Sequence, residues 1–292
     1  GGMVAGVDHD AAQTERQLMP SDLERCMTLS IEAKWNQTEN DWIYLIGNAT
    51  TYAIEVAGRG VVATTVAWPL SSGFAWINMV LVDEDFRGQG MARRLLESCL
   101  KDLEARGQRA LLDATTMGER VYRKIGFSGE VEIVRLKRMA VEGGPDNSTQ
   151  SEVSGMETVQ AVLECDRRVL GESRSSFLES LYARRPDLAR VVLGDSGEVR
   201  GFGLGREGRV ATQIGPVVAP TSTLAAALID SALVGVTGAV MIDVPVQHHA
   251  LIERLTQKGF SIERGFLRMG MKGVELATDW SQYFAIAGPD FA

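Results

Sequence analysis

Residues 80 to 92 read Val80-Leu81-Val82-Asp83-Glu84-Asp85-Phe86-Arg87-Gly88-Gln89-Gly90-Met91-Ala92. An apolar strand runs through an acidic turn into a loop punctuated by Gly88 and Gly90, and that loop opens a long helix. This order builds a phosphate cradle. A loop stripped of side chains lets successive backbone N–H groups converge, and the helix start adds its unpaired amides and the positive end of its dipole. Met91, Leu95, Leu96, Cys99, Leu100 and Leu103 recur on one face at helical spacing, so the helix runs to about Ala105 and stops at Gly107. The loop fits neither the Gly-Lys-Ser/Thr ending of a Walker loop nor Gly-x-Gly-x-x-Gly. A strand, turn and helix with glycines for geometry alone is the plain alternative.

A second, separate signal agrees in spacing. Arg87-x-x-Gly90-x-Ala92 follows a strand, and farther on Tyr122-Arg123-Lys124-Ile125-Gly126-Phe127 closes a short helix. Together these stretches resemble the GNAT superfamily of acyl-coenzyme A transferases. The resemblance implies that Arg87, Gly88, Gln89, Gly90, Met91 and Ala92 bind the coenzyme A pyrophosphate. It also implies that the pantetheine arm lies in a gap between two splayed parallel strands, bonding the backbone of Val80 and Val82 on either side of Leu81. Tyr122 then lies near the thioester sulfur as proton donor. Glu84 stands where many members have Pro and Ala92 where many have Gly, and neither change removes a backbone donor.

At 292 residues with 45% hydrophobic content, the chain is long enough for two domains with sizeable cores. A net charge of −8 argues against nucleic acid or an anionic membrane as partner and accommodates an amine. Cys26, Cys99 and Cys165 are odd in number and far apart, which indicates neither a disulfide framework nor a zinc site and fits a reducing cytoplasm. The longest apolar stretch, 225–246, is interrupted by Asp230 and Asp243, so no membrane span is expected. Gly1-Gly2 before Met3 reads as a cloning remnant and residues 1–13 as a disordered lead.

Along the chain the pattern predicts a strand over 14–19, a helix capped by Ser21 and running to Glu32 with Leu23, Cys26, Met27 and Ile31 inward, and a helix over 39–46. Trp35 and Trp42 read as core, with a pocket wall as the alternative. A hairpin follows over 52–67, then the central strand 74–82. Residues 109–115 read as a buried parallel strand, 117–125 as a short helix and 131–139 as an antiparallel edge. The catalytic domain is set at 14–141, a linker at 142–155 where Gly, Pro, Ser and Asn concentrate, a second domain at 156–275 and a C-terminal tail at 276–292.

The second half partly repeats the first. Strands are expected over 189–193, 201–205, 210–218 and 239–244, with helices over 223–233 and 249–258. Ile77-Asn-Met-Val-Leu-Val aligns with Ile214-Gly-Pro-Val-Val-Ala, Leu112-Asp113 with Ile242-Asp243, and Gly126-Phe127 with Gly259-Phe260. The cradle does not repeat. Its counterpart shrinks to Pro220-Thr221-Ser222-Thr223, and Leu255 stands in place of the tyrosine, so copy two keeps the fold and lacks the chemistry.

Acyl transfer to an amine needs an oriented thioester, a deprotonated amine and a proton for the leaving thiolate. Glu84, Asp85 and Asp113 are the base candidates, with a solvated turn or a loop hydrogen bond as their bland readings. Arg93 and Arg94 either reach phosphate or are exposed helix charges. His248, His249 and Glu253 supply too few ligands for a metal and read as a solvent-facing helix start. Gly201, Gly203 and Gly205 read as a strand needing close backbone approach or a bulge. Met269 and Met271 read as core.

These readings converge on an α/β (α+β) chain of two tandem GNAT-like domains, each a mixed, mostly antiparallel sheet with a central parallel βαβ unit flanked by helices. By the resemblance, the first copy is an acetyl-CoA-dependent N-acyltransferase acting on a small-molecule or peptide amine, without a metal, as a monomer or homodimer. The rival is a non-catalytic acyl-CoA-binding or sensing protein.

Overall fold

The computed structural model describes residues 6–71, 73–142 and 152–292, and the chain divides into two compact units, residues 1–110 and 111–292. In the first unit β1 (Gln13–Arg16), β2 (Thr50–Val56), β3 (Gly60–Leu70) and β4 (Phe74–Val82) pair antiparallel in that order. Helices α1 (Leu23–Glu32) and α2 (Glu39–Asn48) precede β2, and α3 (Met91–Ala105) follows β4 and packs against β2, β3 and β4. Met91, Leu95, Leu96, Cys99 and Leu103 are its buried face, as the helical spacing requires.

Two expectations in this unit change. Helix α1 starts at Leu23 after a 3-10 turn over Pro20–Asp22, because the Asp22 carboxylate is drawn to Arg16 and to the Met19 N–H. Ser21 therefore caps nothing, and Leu29 is buried while Ile31 is 49% exposed. The lead is also ordered from residue 7 onward. Val7 and Ala11 pack against Ile54, Val56, Val62, Ala63, Phe86, Met91 and Leu95, and residues 1–5 lie outside the described residues. Trp42 is fully buried with its indole N–H on Ser30, a core role.

The second unit begins within β5 (Arg109–Ala114). It continues through α4 (Thr116–Ile125), β6 (Ser128–Arg138), β7 (Val153–Gly155), α5 (Gln160–Leu170), α6 (Ser175–Arg184), β8 (Arg190–Leu193) and β9 (Val199–Arg206). Then come β10 (Thr212–Val218), α7 (Ser222–Leu233), β11 (Val240–Pro245), α8 (His249–Gln257), β12 (Ser261–Gly270) and β13 (Tyr283–Ala285). Its strands lie in the order β5-β12-β6-β11-β10-β9-β8-β7, with β13 alongside β10.

This order contains an exchange. The motifs β5-α4-β6 and β11-α8-β12 are the two copies of one pattern, yet β12 lies between β5 and β6, and β6 lies between β12 and β11. Strand β6 is thus interior, not the expected edge, because it pairs on both sides. For the same reason the compact units part at residue 110 instead of near the linker. Of that linker, residues 143–151 lie outside the described residues, and Val153–Gly155 form β7 against β8. The expected tail carries β13 and buries Tyr283, Phe284, Ala285 and Ile286. Helices α5 and α6 were not among the expected elements, although Val162, Cys165, Val169 and Leu170 are buried at helical spacing before Gly171.

Internal registers repeat as well. In copy one, Ile77 faces Ala67 and Leu81 faces Thr64, with a bulge between them that sets Met79 at φ 49°. In copy two, Ile214 faces Gly205 and Val218 faces Phe202, again across a bulge. Gly201 and Gly205 sit where an added Cβ would come within 2.7 Å and 2.9 Å of strand carbonyls, which accounts for two of the three glycines of β9.

Candidate active site

The acidic turn of the first unit is fixed before the cradle begins. Asp83 is wholly buried, and its carboxylate accepts hydrogen bonds from Arg25 (2.6 Å), Arg59 (3.1 Å) and the Asp85 N–H (2.9 Å). Burial opposes its ionisation, but these donors hold the carboxyl below the usual carboxylate range. Arg59 also binds Asp85 at 2.8 Å, and Phe86 is 1% exposed in the core. The turn is an anchored pivot, not a solvated one. Arg25 and Arg59 lie far from it in sequence, and the lone Gly58-Arg59-Gly60 turn gave no sign of their role.

Beyond Phe86 the chain emerges, with Arg87, Gly88, Gln89 and Gly90 exposed. Gly88 has φ 79° and Gly90 φ 76°, a region that side chains disfavour, and a Cβ on either would meet nothing within 4 Å. Open space therefore adjoins both. Gly90 is the N-cap of α3 and offers no side-chain cap, and no acidic residue occupies the first turn. The first helical bond described runs from the Arg94 N–H to the Gly90 carbonyl (3.0 Å), so the amides of Met91, Ala92 and Arg93 precede it. An uncapped helix start behind two left-handed glycines is the complement of an anion, and these residues fit a diphosphate. Leu81 and Met91 turn their side chains into the core, at 4% and 3% exposure, and Val80 and Val82 are half-buried. Arg87 donates to the Val82 carbonyl at 3.3 Å, Gln89 contacts His9 at 2.8 Å, Arg93 pairs with Glu97 and Arg94 with Glu15.

In the second unit α4 is capped by Thr115, whose hydroxyl accepts from the Gly118 N–H. Tyr122 is half-buried, its ring edge-on to Phe127 at 5.8 Å. A Cβ on Gly118 would lie 3.0 Å from that ring, so the glycine one turn earlier makes room for it. Burial pushes the Tyr122 phenol up to about 12, farther still from ionisation at neutral pH. Its hydroxyl has no hydrogen-bond partner among the described residues.

Asp113 has other work. Arg268 forks onto both its oxygens, Nε to Oδ1 and Nη2 to Oδ2 at 2.9 Å each, and the two residues face each other across β5 and β12. Burial raises the Asp113 carboxyl against the pull of Arg268. Its sequence counterpart Asp243 is held the same way by Arg135, at 2.8 Å and 3.0 Å. With Asp85 also paired, Glu84 is the exposed carboxylate left among the three base candidates.

Copy two has closed its own helix start. Thr221 caps α7, its hydroxyl accepting from the Leu224 N–H at 3.2 Å. The N–H that has no side-chain cap at the start of α3 is satisfied here within the helix.

A model described as the acetyltransferase (GNAT) family matches residues 17–127, and one described as an acetyltransferase (GNAT) domain matches residues 162–285. The chain belongs to the GNAT superfamily. With one such domain in each half, it is a tandem GNAT protein. The Bacillus subtilis protein YitH, an uncharacterized N-acetyltransferase, is 25% identical over 185 residues, 63% of this chain and 65% of its own length. The match thus spans less than two thirds of that relative. A Pyrococcus horikoshii crystal structure, described as an inferred acetyltransferase, superposes with a TM-score of 0.80 at 19% identity, over 99% of both chains. A tandem GNAT protein from the clavulanic acid biosynthesis pathway superposes at 0.61 with 12% identity, over 90% of this chain and all of that one. At such identities the solved structures speak to the fold.

Of the other residues singled out in the GNAT chain, His248 falls elsewhere than expected and Met269 lies in the core as expected. His248 is buried, and its Nε2 lies 2.8 Å from the Trp280 carbonyl and 2.9 Å from that of Tyr283, so it is a core contact and not a solvent-facing helix start. Among the described residues no group of His, Cys, Asp and Glu is placed to hold a metal, and no helix is long and apolar enough to cross a membrane. Met269 is fully buried.

Proposed function

We propose that this tandem GNAT protein is an acyl-CoA-dependent N-acyltransferase that moves an acetyl group from acetyl-CoA to a primary amine by direct attack in a ternary complex. The reading is carried by the uncapped start of α3 behind Gly88 and Gly90, held by the anchored Asp83 turn. Acetyl-CoA supplies an activated thioester. The amides from Gly88 to Ala92 take up its diphosphate, and the backbone of Val80, Leu81 and Val82 orients the arm and receives charge developing on the carbonyl. Tyr122, protonated and without a hydrogen-bond partner among the described residues, gives the proton to the sulfur. Glu84 accepts the amine's proton through water.

The three cysteines are free and buried, which supports a cytoplasmic setting. The acceptor is a small-molecule or peptide amine, reached without nucleic acid or membrane, by a monomer or homodimer. Binding of acyl-CoA without turnover is the rival reading, favoured by the engagement of Asp85 and Asp113 in ion pairs.

Gly90→Glu tests the cradle, since a side chain there fills the open space and brings a like charge to the helix start. Calorimetry with acetyl-CoA should show binding abolished while the circular dichroism spectrum persists and Tm falls only by the small cost of a side chain at φ 76°; unchanged affinity means the cradle is misassigned. Thiol release over a panel of small amines, amino acids and peptides separates turnover from binding alone.

A further inference from the structure

In copy two, β10 and β11 run parallel from Thr212 beside Val240 to Ile214 beside Ile242, and there the pairing ends. The gap beyond is filled by the chain itself. Ala285 faces Val217 and Tyr283 faces Val218 in an antiparallel ladder, and the Ala219 N–H donates to the Gln282 carbonyl at 3.0 Å. On the other side the Ile286 N–H donates to the Asp243 carbonyl of β11, also at 3.0 Å. The segment Gln282–Ile286 thus bonds both splayed strands at once. Val217, Val218 and Ala219 are the counterparts of Val80, Leu81 and Val82.

We propose that this segment is the ligand of the second copy's cleft: an extended peptide of the same chain lies where, in the first copy, the pantetheine arm is to lie. The proposal rests on the acyl-CoA reading only for that comparison of the two edges. The surroundings are shaped to a peptide. His248 meets the carbonyls of Trp280 and Tyr283 and stacks on Phe284 at 4.1 Å. Arg206 donates to the Ala287 carbonyl. The Tyr283 hydroxyl accepts from Arg174 at 3.0 Å, with both side chains buried. Gly215 is fitted to the same segment, since a Cβ there would sit 1.9 Å from the Ile286 carbonyl. Apart from the Phe284 ring and the Tyr283 hydroxyl, these contacts use backbone groups of the segment, which is how added strands are recognised. The second copy is therefore a peptide-binding cleft, occupied in cis and closed to acyl-CoA.

The intact chain can be tested by amide exchange with and without acetyl-CoA. The amides of Ala219 and Ile286 should exchange at least about a hundredfold slower than in an unstructured peptide, and saturation with acetyl-CoA should leave them unchanged while protecting residues 88–93. Loss of protection over 282–287 on adding acetyl-CoA would overturn the proposal. Absence of protection at 88–93 alone counts against the acyl-CoA reading and leaves the peptide standing. As a second measurement, Val217→Cys with Ala285→Cys places thiols on facing residues, whose Cα separation in such pairs, about 4.5–5.5 Å, lies within disulfide range. Cys26, Cys99 and Cys165 are buried and should not interfere. The cross-link should form in the folded protein and leave acetyl-CoA stoichiometry and turnover within about twofold. A folded variant that fails to cross-link, or a locked protein that loses a cofactor equivalent or tenfold in turnover, refutes it.

Discussion

Asp113 shows how a chemically plausible residue is reassigned by its neighbour. A carboxylate near the end of a buried strand is a natural base candidate, and its forked pair with Arg268 could not be read from a sequence in which the partner stands 155 positions away. Asp113→Asn leaves a buried guanidinium without its countercharge, and breaking such a pair costs about 3–5 kcal/mol. Denaturant unfolding should register that loss, with turnover per folded molecule preserved; a base would give the opposite split. Tyr122 is the reverse case, visible from its spacing before Gly126-Phe127. Tyr122→Phe should lower kcat by roughly 10²-fold or more with little change in acetyl-CoA affinity, since a general acid acts mainly in the transition state. Steady-state kinetics with chemistry rate-limiting decides it, and an unchanged kcat passes the proton to water.

At the scale of elements, α3 and α7 carry one fold to two ends. Both follow the fourth strand of their copy, and both were legible from apolar spacing, as were the bounds of β4. What separates them is a single turn of backbone, glycine-opened in α3 and closed by Thr221 in α7. Thr221→Ala should destabilise the protein by about 0.5–2 kcal/mol, the usual cost of a lost cap, and leave acetyl-CoA affinity untouched. A shift in affinity would show that the α7 start takes part in cofactor binding. Helices α5 and α6 went unread although their periodicity was present, because a reading led by the repeated strands passes over elements that precede them. The order of β6 and β12 was not legible at all: alternation along a strand specifies which face is buried and says nothing of which neighbour it acquires.

For the whole molecule, duplication with one open cradle implies one bound acetyl-CoA per chain. Calorimetric titration of the intact chain should saturate at one equivalent, because a single helix start contributes only about 0.3–1 kcal/mol toward an exposed anion. Two equivalents of similar affinity would mean that the Pro220–Thr223 turn is not the cradle's counterpart. The intact chain is the right sample, since a fragment beginning near Gly155 lacks both β5 and β6. That exchange also sets a schedule for the ribosome. Once Asp113 has been made, another 155 residues must follow before Arg268 exists to meet it. At about 5–20 residues per second, the interval is on the order of ten seconds. During it the nascent first copy displays unpaired strand edges, a template for association with other chains. Strand β6 waits nearly as long for β12, so both of these strand edges stay open until β12 has been made.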